Sequence, residues 1–167
     1  MQMSSREKLV TVGIADLKFV ESPHTIRTSG LGSCVGIVIY DLSKQIAGLA
    51  HIMLPDSSLS KQANINTYKY ADTAIAYLLR YLQARGVSRF QLKAKIAGGA
   101  QMFPNQLTSE VMRIGPRNIE SVEALLKKNN IPIVSSDVGG NSGRTIVFNP
   151  QTGALTIRTV NKGETVI

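Results

Sequence analysis

The chain has 167 residues, 43% of them hydrophobic and 18% charged, with a formal net charge of +8. That length suits a single domain, residues 1–167, with enough chain to bury a core, and one cysteine excludes an internal disulfide. No apolar run approaches the ~18 residues of a membrane span and no charged-then-apolar leader is present, so a soluble cytoplasmic protein with a reduced thiol and no membrane insertion is expected.

The positive charge raises nucleic acid, an acidic membrane face or an acidic protein as partners. The basic residues are dispersed, the densest pair being Lys127-Lys128, and no basic run is interleaved with aromatics. Nucleic acid is therefore not expected, and an acidic protein partner is.

Two short strands, at 10–12 and 16–20, open the pattern, followed by Pro23 and a third strand at 25–28 that enters a glycine-rich turn. Apolar runs at 34–40 and 45–53 flank the polar stretch Asp41-Leu42-Ser43-Lys44 and read as a β-hairpin. Their inner segments, 35–39 and 46–50, are apolar on both faces, which places the hairpin centrally with cover on each side.

After Pro55, a polar loop at 56–65 leads to a helix with Asn66 as N-cap, an apolar stripe of Ala71, Ala74, Ile75, Leu78, Leu79 and Leu82, and Gly86 as its stop. Leu92, Ala94 and Ile96 alternate with polar residues as a half-buried strand ending at Gly98-Gly99, and a loop through Phe103-Pro104 follows. A second helix starts near Pro116, buries Ile119, Val122, Leu125 and Leu126, and frays at Asn129-Asn130. A strand at 131–135, a glycine-rich loop at 137–144, and strands at 145–148 and 155–160 joined by a turn at 149–153 complete the pattern. Strands before, between and after two helices predict an α+β class with mixed sheets, not a regular βαβ winding.

The cysteine, Cys34, lies in Gly30-Leu31-Gly32-Ser33-Cys34-Val35-Gly36. A lone cysteine is ordinarily a small buried hydrophobe. The glycines change that reading, because they let the backbone turn tightly and present successive N–H groups to one concavity, which suits an oxyanion and is unnecessary for packing. The N–H groups of Ser33 and Cys34 are the natural donors, with Gly30 and Gly32 shaping the loop. A hairpin loop centred between Leu42 and Ser43 pairs Asp41 with Lys44 and, carried outward, Cys34 with His51, their Cβ atoms about 4.5 to 5.5 Å apart. A thiol nucleophile with a buried, neutral histidine base is expected, against the blander alternative of a core histidine satisfied by backbone.

Thr28, at the end of the strand entering the turn, is a candidate to orient the imidazole, although threonine is common in strands. Asp41 sits at the far hairpin tip and His24 in a surface turn beside Pro23. The glycine-rich run misses the dinucleotide fingerprint by one position, and the 137–144 loop lacks the lysine of a phosphate loop. Two histidines and one cysteine are too few soft ligands for zinc, so neither cofactor nor metal is expected. Asn141 and Arg144 are candidates for the rim of a substrate cleft, while Gly98-Gly99 and Gly139-Gly140 read as tight turns.

Gly30-Leu31-Gly32-Ser33-Cys34-Val35 and Ala50-His51-Ile52-Met53-Leu54-Pro55 resemble the signature of the CheD chemoreceptor glutamine deamidases. The stretches at 69–74, 94–100, Ile114-Gly115-x-Arg117-Asn118 and Gly139-Gly140-Asn141-x-x-Arg144 extend the resemblance in the same order, over about residues 10–160. Gly36 departs from it, standing where much of that family has alanine. The resemblance implies catalytic roles for Cys34, His51 and Thr28, and hydrolysis of selected glutamine amides to glutamate on chemoreceptor cytoplasmic domains, with methyl-ester hydrolysis as a side activity. It also implies a sandwich-like core of mixed sheets with helices packed outside and the Cys/His hairpin at its centre, as in the cysteine deamidase domains of some bacterial toxins. The partner it implies is a CheC-type phosphatase, so a module that docks on and regulates that phosphatase is the competing function. A thiol amidase acting on a small molecule is a further alternative.

Overall fold

The computed structural model describes residues 6–102 and 113–167, and the loop expected through Phe103-Pro104 lies outside them. The elements, in order, are β1 (Leu9–Val12), β2 (Leu17–Glu21), β3 (Thr25–Leu31), β4 (Val35–Asp41), β5 (Ile46–Ile52), α1 (Ala71–Ala84), β6 (Lys93–Gly98), α2 (Ile114–Lys128), β7 (Ile133–Val138), β8 (Arg144–Asn149), β9 (Ala154–Thr159) and β10 (Gly163–Val166). The strands form two five-stranded sheets, ordered β1-β3-β8-β9-β10 and β2-β5-β4-β6-β7. Both are mixed, with β1 parallel to β3 and β6 parallel to β7 amid antiparallel neighbours. The class is α+β, as the grouping of strands predicted.

Three layers result. One face of β4 and β5 packs Val35, Ile37, Ile39, Ala50 and Ile52 against Ile75, Leu78 and Leu82 of α1 and Val122 and Leu126 of α2. The other face packs Val38, Tyr40, Ala47 and Leu49 against Ile26, Ile146, Phe148 and Ile157 of the second sheet. Every residue of β4 and β5 is buried, which explains why both strands read as apolar throughout rather than alternating.

The register differs from the expected one. Asp41 faces Ile46, and the ladder carries Gly36, not Cys34, opposite His51. The loop takes in Gln45, which lies in the left-handed region at φ 53°, with its N–H bonded to the Leu42 carbonyl at 3.2 Å. The buried Asp41 carboxylate stabilises that turn, accepting from the Ser43 N–H at 2.9 Å and the Ser43 hydroxyl at 2.7 Å. Cys34 therefore lies just outside β4, and the thiol and imidazole are not a directly facing hairpin pair.

Other boundaries also move. Asn66 does not cap α1, because its carboxamide oxygen is engaged by the Tyr68 N–H, and the helix starts only after Tyr70 has paired with Leu54. β3 continues through a bulge to Leu31 and absorbs Gly30, whose φ of 72° turns the strand end. Along α2 the buried residues are Gly115, Asn118, Val122 and Leu126, while Ile119 and Leu125 flank that stripe half-buried. The edge strand β10, polar and exposed, carries no apolar signal in the sequence and was not expected.

Candidate active site

His51 projects from β5 between the two sheets and is fully buried. Its backbone is held on both sides by the turn before β2, the N–H donating to Asp16 O at 3.0 Å and the carbonyl accepting from Ala15 N at 2.9 Å. Its Nδ1 lies 2.7 Å from the Thr28 hydroxyl, on β3 of the opposite sheet. That hydroxyl in turn donates to the Val12 carbonyl at 2.8 Å. A hydroxyl has one proton to give. With that proton committed to Val12, Thr28 accepts from the imidazole, so Nδ1 carries the ring hydrogen and Nε2 keeps its lone pair. Nε2 is buried and unpartnered. Burial depresses the histidine pKa from 6.5 to about 4, so the ring is neutral at physiological pH, as the apolar strand predicted.

Cys34 is half-buried and packs against the inter-sheet core. Burial pushes its thiol pKa up from 9.0, opposed in part by its own backbone N–H, so at rest it too is neutral. It precedes Gly36, the partner of His51, by two positions. A ladder continued past Val35 sets such residues diagonally, about 7 to 8 Å apart. Among the described residues no hydrogen bond joins the thiol to the imidazole. The absence of a side chain at Gly36 keeps this end of the layer close-packed, since a Cβ there would stand 2.7 Å from Ile146 Cδ1.

The glycine-rich loop is tethered from one side. The carbonyls of Gly32, Ser33 and Cys34 accept, respectively, from Ala100 N at 2.8 Å, Asn118 Nδ2 at 2.9 Å and Gly99 N at 2.8 Å. Planar trans peptides then turn the N–H groups of Ser33 and Cys34 away from those tethers. Among the described residues neither donates to another backbone carbonyl. Successive N–H groups beside a thiol, not committed to a backbone carbonyl, can hold an oxyanion. Gly98, at φ 111°, permits the approach, because a Cβ there would overlap the Cys34 carbonyl.

Arg144 opens β8 opposite Leu31 and is buried, not exposed at a rim. Its Nη2 binds Asp137 Oδ1 at 3.2 Å and Gly139 O at 2.9 Å, while Nε and Nη1 are buried without partners. Asn141 is exposed in the adjoining loop. The residue that sequence reasoning left without a role is Asn118, which faces the core at the same helical spacing as Gly115, Val122 and Leu126. A polar residue inside an apolar stripe was the available signal. Among the described residues, no group of three or more His, Cys, Asp or Glu side chains is arranged to hold a metal ion, and no helix is long and apolar enough to cross a membrane.

The profile of the CheD chemotactic sensory transduction family matches residues 53–159. The chain belongs to the CheD family. It is 61% identical over 154 residues to a probable chemoreceptor glutamine deamidase CheD of Oceanobacillus iheyensis, covering 92% of this chain and 93% of that one. It is 58% identical over 156 residues to a chemoreceptor glutamine deamidase CheD of Halalkalibacterium halodurans, covering 93% and 96%. With the chemoreceptor glutamine deamidase CheD of Bacillus subtilis the identity is 55% over 166 residues, covering 99% and 100%. The profile match begins just beyond His51, whereas the alignments of this CheD-family chain with these three relatives, each of 154 residues or more, also span Thr28, Cys34 and His51.

Proposed function

We propose that this CheD-family chain hydrolyses side-chain amides of selected glutamines on methyl-accepting chemoreceptors to glutamate, with Cys34 as nucleophile and His51 as general base and acid. The observation that carries the reading is the Thr28–His51 hydrogen bond, which fixes the tautomer and leaves Nε2 free to take a proton. The names of the relatives supply the substrate class.

Both groups are neutral at rest, so the proton moves during attack instead of residing in a preformed ion pair. Sγ swings toward Nε2, gives it the thiol proton and bonds to the carboxamide carbon. The N–H groups of Ser33 and Cys34 receive the resulting oxyanion. The imidazolium then protonates the departing nitrogen, ammonia leaves and a thioester remains. Water adds with Nε2 as base, the carbon–sulfur bond breaks, and glutamate and the thiol are restored.

The test is mass spectrometry of a purified receptor cytoplasmic fragment incubated with the protein and with Cys34→Ala, reading amide-to-acid conversion at individual glutamines. Cysteine-dependent conversion in the methylation region is expected. Undiminished conversion by Cys34→Ala would overturn the mechanism, and none by the native protein, across receptors of the source organism, would overturn the substrate.

The net charge of +8 also suits an acidic protein surface. We propose that a CheC-type phosphatase docks over the Cys34 loop and competes with the receptor. Both associations are expected to weaken with salt, and phosphatase that binds fully without slowing deamidation would refute the competition.

A further inference from the structure

Asn118 lies within α2 and is fully buried, yet its side chain leaves the helix and bridges two other segments. Its Nδ2 donates to Ser33 O at 2.9 Å and to Met53 O at 3.0 Å. Both partners are carbonyl oxygens, which only accept, so the amide orientation is fixed by chemistry. Its Oδ1 is buried without a donor.

The two acceptors are informative. The Ser33 carbonyl belongs to the same peptide unit as the Cys34 N–H, so pulling it toward α2 aims that N–H the opposite way. Met53 follows His51 by two residues, where β5 ends. One primary amide thus ties the arm bearing the thiol to the arm bearing the imidazole. The neighbouring tethers, on Gly32 O and Cys34 O, come from backbone N–H groups of the 99–100 turn, so Asn118 is the side chain in the set. Gly115 makes the reach feasible, because a Cβ there would overlap the Ala100 carbonyl and hold α2 off the turn.

We propose that Asn118 is a positioning residue for the reaction, acting through the Cys34 peptide and the end of β5 to set the direction of the oxyanion donor and the spacing of thiol and imidazole. This rests on the functional reading above. Its alternative is a buried amide that merely secures α2 to the sheet. The distinction is measurable, because misplacing catalytic groups lowers turnover while leaving substrate contacts elsewhere intact.

The experiment compares the native full chain with Asn118→Asp, which keeps the shape and replaces two N–H donors by at most one O–H, so that it cannot bridge both carbonyls, and with Asn118→Ser, which keeps one short donor. Three readings are taken: kcat and KM for receptor-fragment deamidation, the pH profile of Cys34 alkylation by iodoacetamide, and the thermal midpoint. For Asn118→Asp, kcat is expected to fall about 10- to 100-fold with KM within about twofold. The alkylation profile is expected to move to higher pH as the Cys34 N–H loses its aim. Asn118→Ser is expected to fall between the two, and it carries the test if the aspartate variant does not fold.

A lowered midpoint with unchanged kcat and a superimposable alkylation profile would overturn the proposal. Failure of both variants to fold would do so as well, by making the role one of fold alone. If the native protein does not deamidate receptors, the functional reading fails separately, while the alkylation profile still decides whether Asn118 positions Cys34.

Discussion

The two faces of β4 and β5 make two cores of different kinds. Toward the helices Val35, Ile37, Ile39, Ala50 and Ile52 meet the apolar stripes of α1 and α2, interrupted at one end by the buried Asn118. Toward the second sheet, Val38, Tyr40, Ala47 and Leu49 are apolar only as far as one end of the layer. At the other end Thr28, His51 and Arg144 are buried, beside half-buried Cys34. His51 Nε2 and Arg144 Nε and Nη1 are buried without partners. A buried polar atom without a partner costs desolvation free energy, which the apolar helix-facing core helps to offset. The same strands thus carry a mainly apolar core on one face and, at one end of the other, the buried polar groups on which the proposed chemistry rests.

The sharpest way to break this division is to mutate one residue on each face. His51→Ala is expected to lower deamidation about 10²- to 10⁴-fold, read by ammonia release. If it kept near-native turnover, the inter-sheet face would lose its assignment. Ile37→Ala, on the helix face, is expected to lower unfolding free energy by about 2 to 5 kcal/mol in urea denaturation, with kcat of the folded protein little changed.

Acid separates the faces without mutation. The folded pKa of His51 is about 4, below the 6.5 of an unperturbed histidine, so the unfolded chain takes up the proton first as pH falls. Stability from this group is complete above pH 6.5 and is lost progressively toward pH 4, on the order of 2 to 3 kcal/mol. Urea titrations across that window should show the loss in the native protein and a smaller one in His51→Gln. A slope unaffected by that substitution would mean the imidazole is not held neutral by burial.

Thr28→Val keeps the shape but leaves the His51 Nδ1–H and the Val12 carbonyl unpaired, so activity is expected to fall about tenfold and stability by about 1 to 3 kcal/mol. Thr28→Ser should recover most of the activity, which a purely steric role for the threonine would not produce. The smallest effect is expected at Gly36→Ala. The added Cβ would meet the movable end of Ile146, while alanine suits a strand better than glycine, so the net change should stay within about 1 kcal/mol by thermal unfolding.

Much of this arrangement was legible in the sequence because it is written in local patterns. The doubly apolar runs marked β4 and β5 as central, the 3.6-residue stripe marked α1, and three glycines around one cysteine marked the loop. The Cys34–His51 register was misjudged because a hairpin's pairing depends on how its loop closes. Here Gln45 entered the left-handed region, where glutamine is uncommon, and the buried Asp41 carboxylate held the turn. Asn66 looked like a cap since capping residues and Asx-turn residues are the same amino acids.

What the sequence determined by itself was the class of fold, the layered burial of the hairpin and the presence of a thiol in a glycine-rich turn, because these follow from side-chain periodicity and glycine content. Only the tertiary structure decided which residues meet. Thr28 reaches His51 from the other sheet, and Asn118 reaches Ser33 and Met53 from a helix 65 or more positions along the chain. Such contacts depend on how two sheets and a helix stack, and stacking is fixed by the packing of the whole core, not by any stretch of sequence short enough to be read as a pattern.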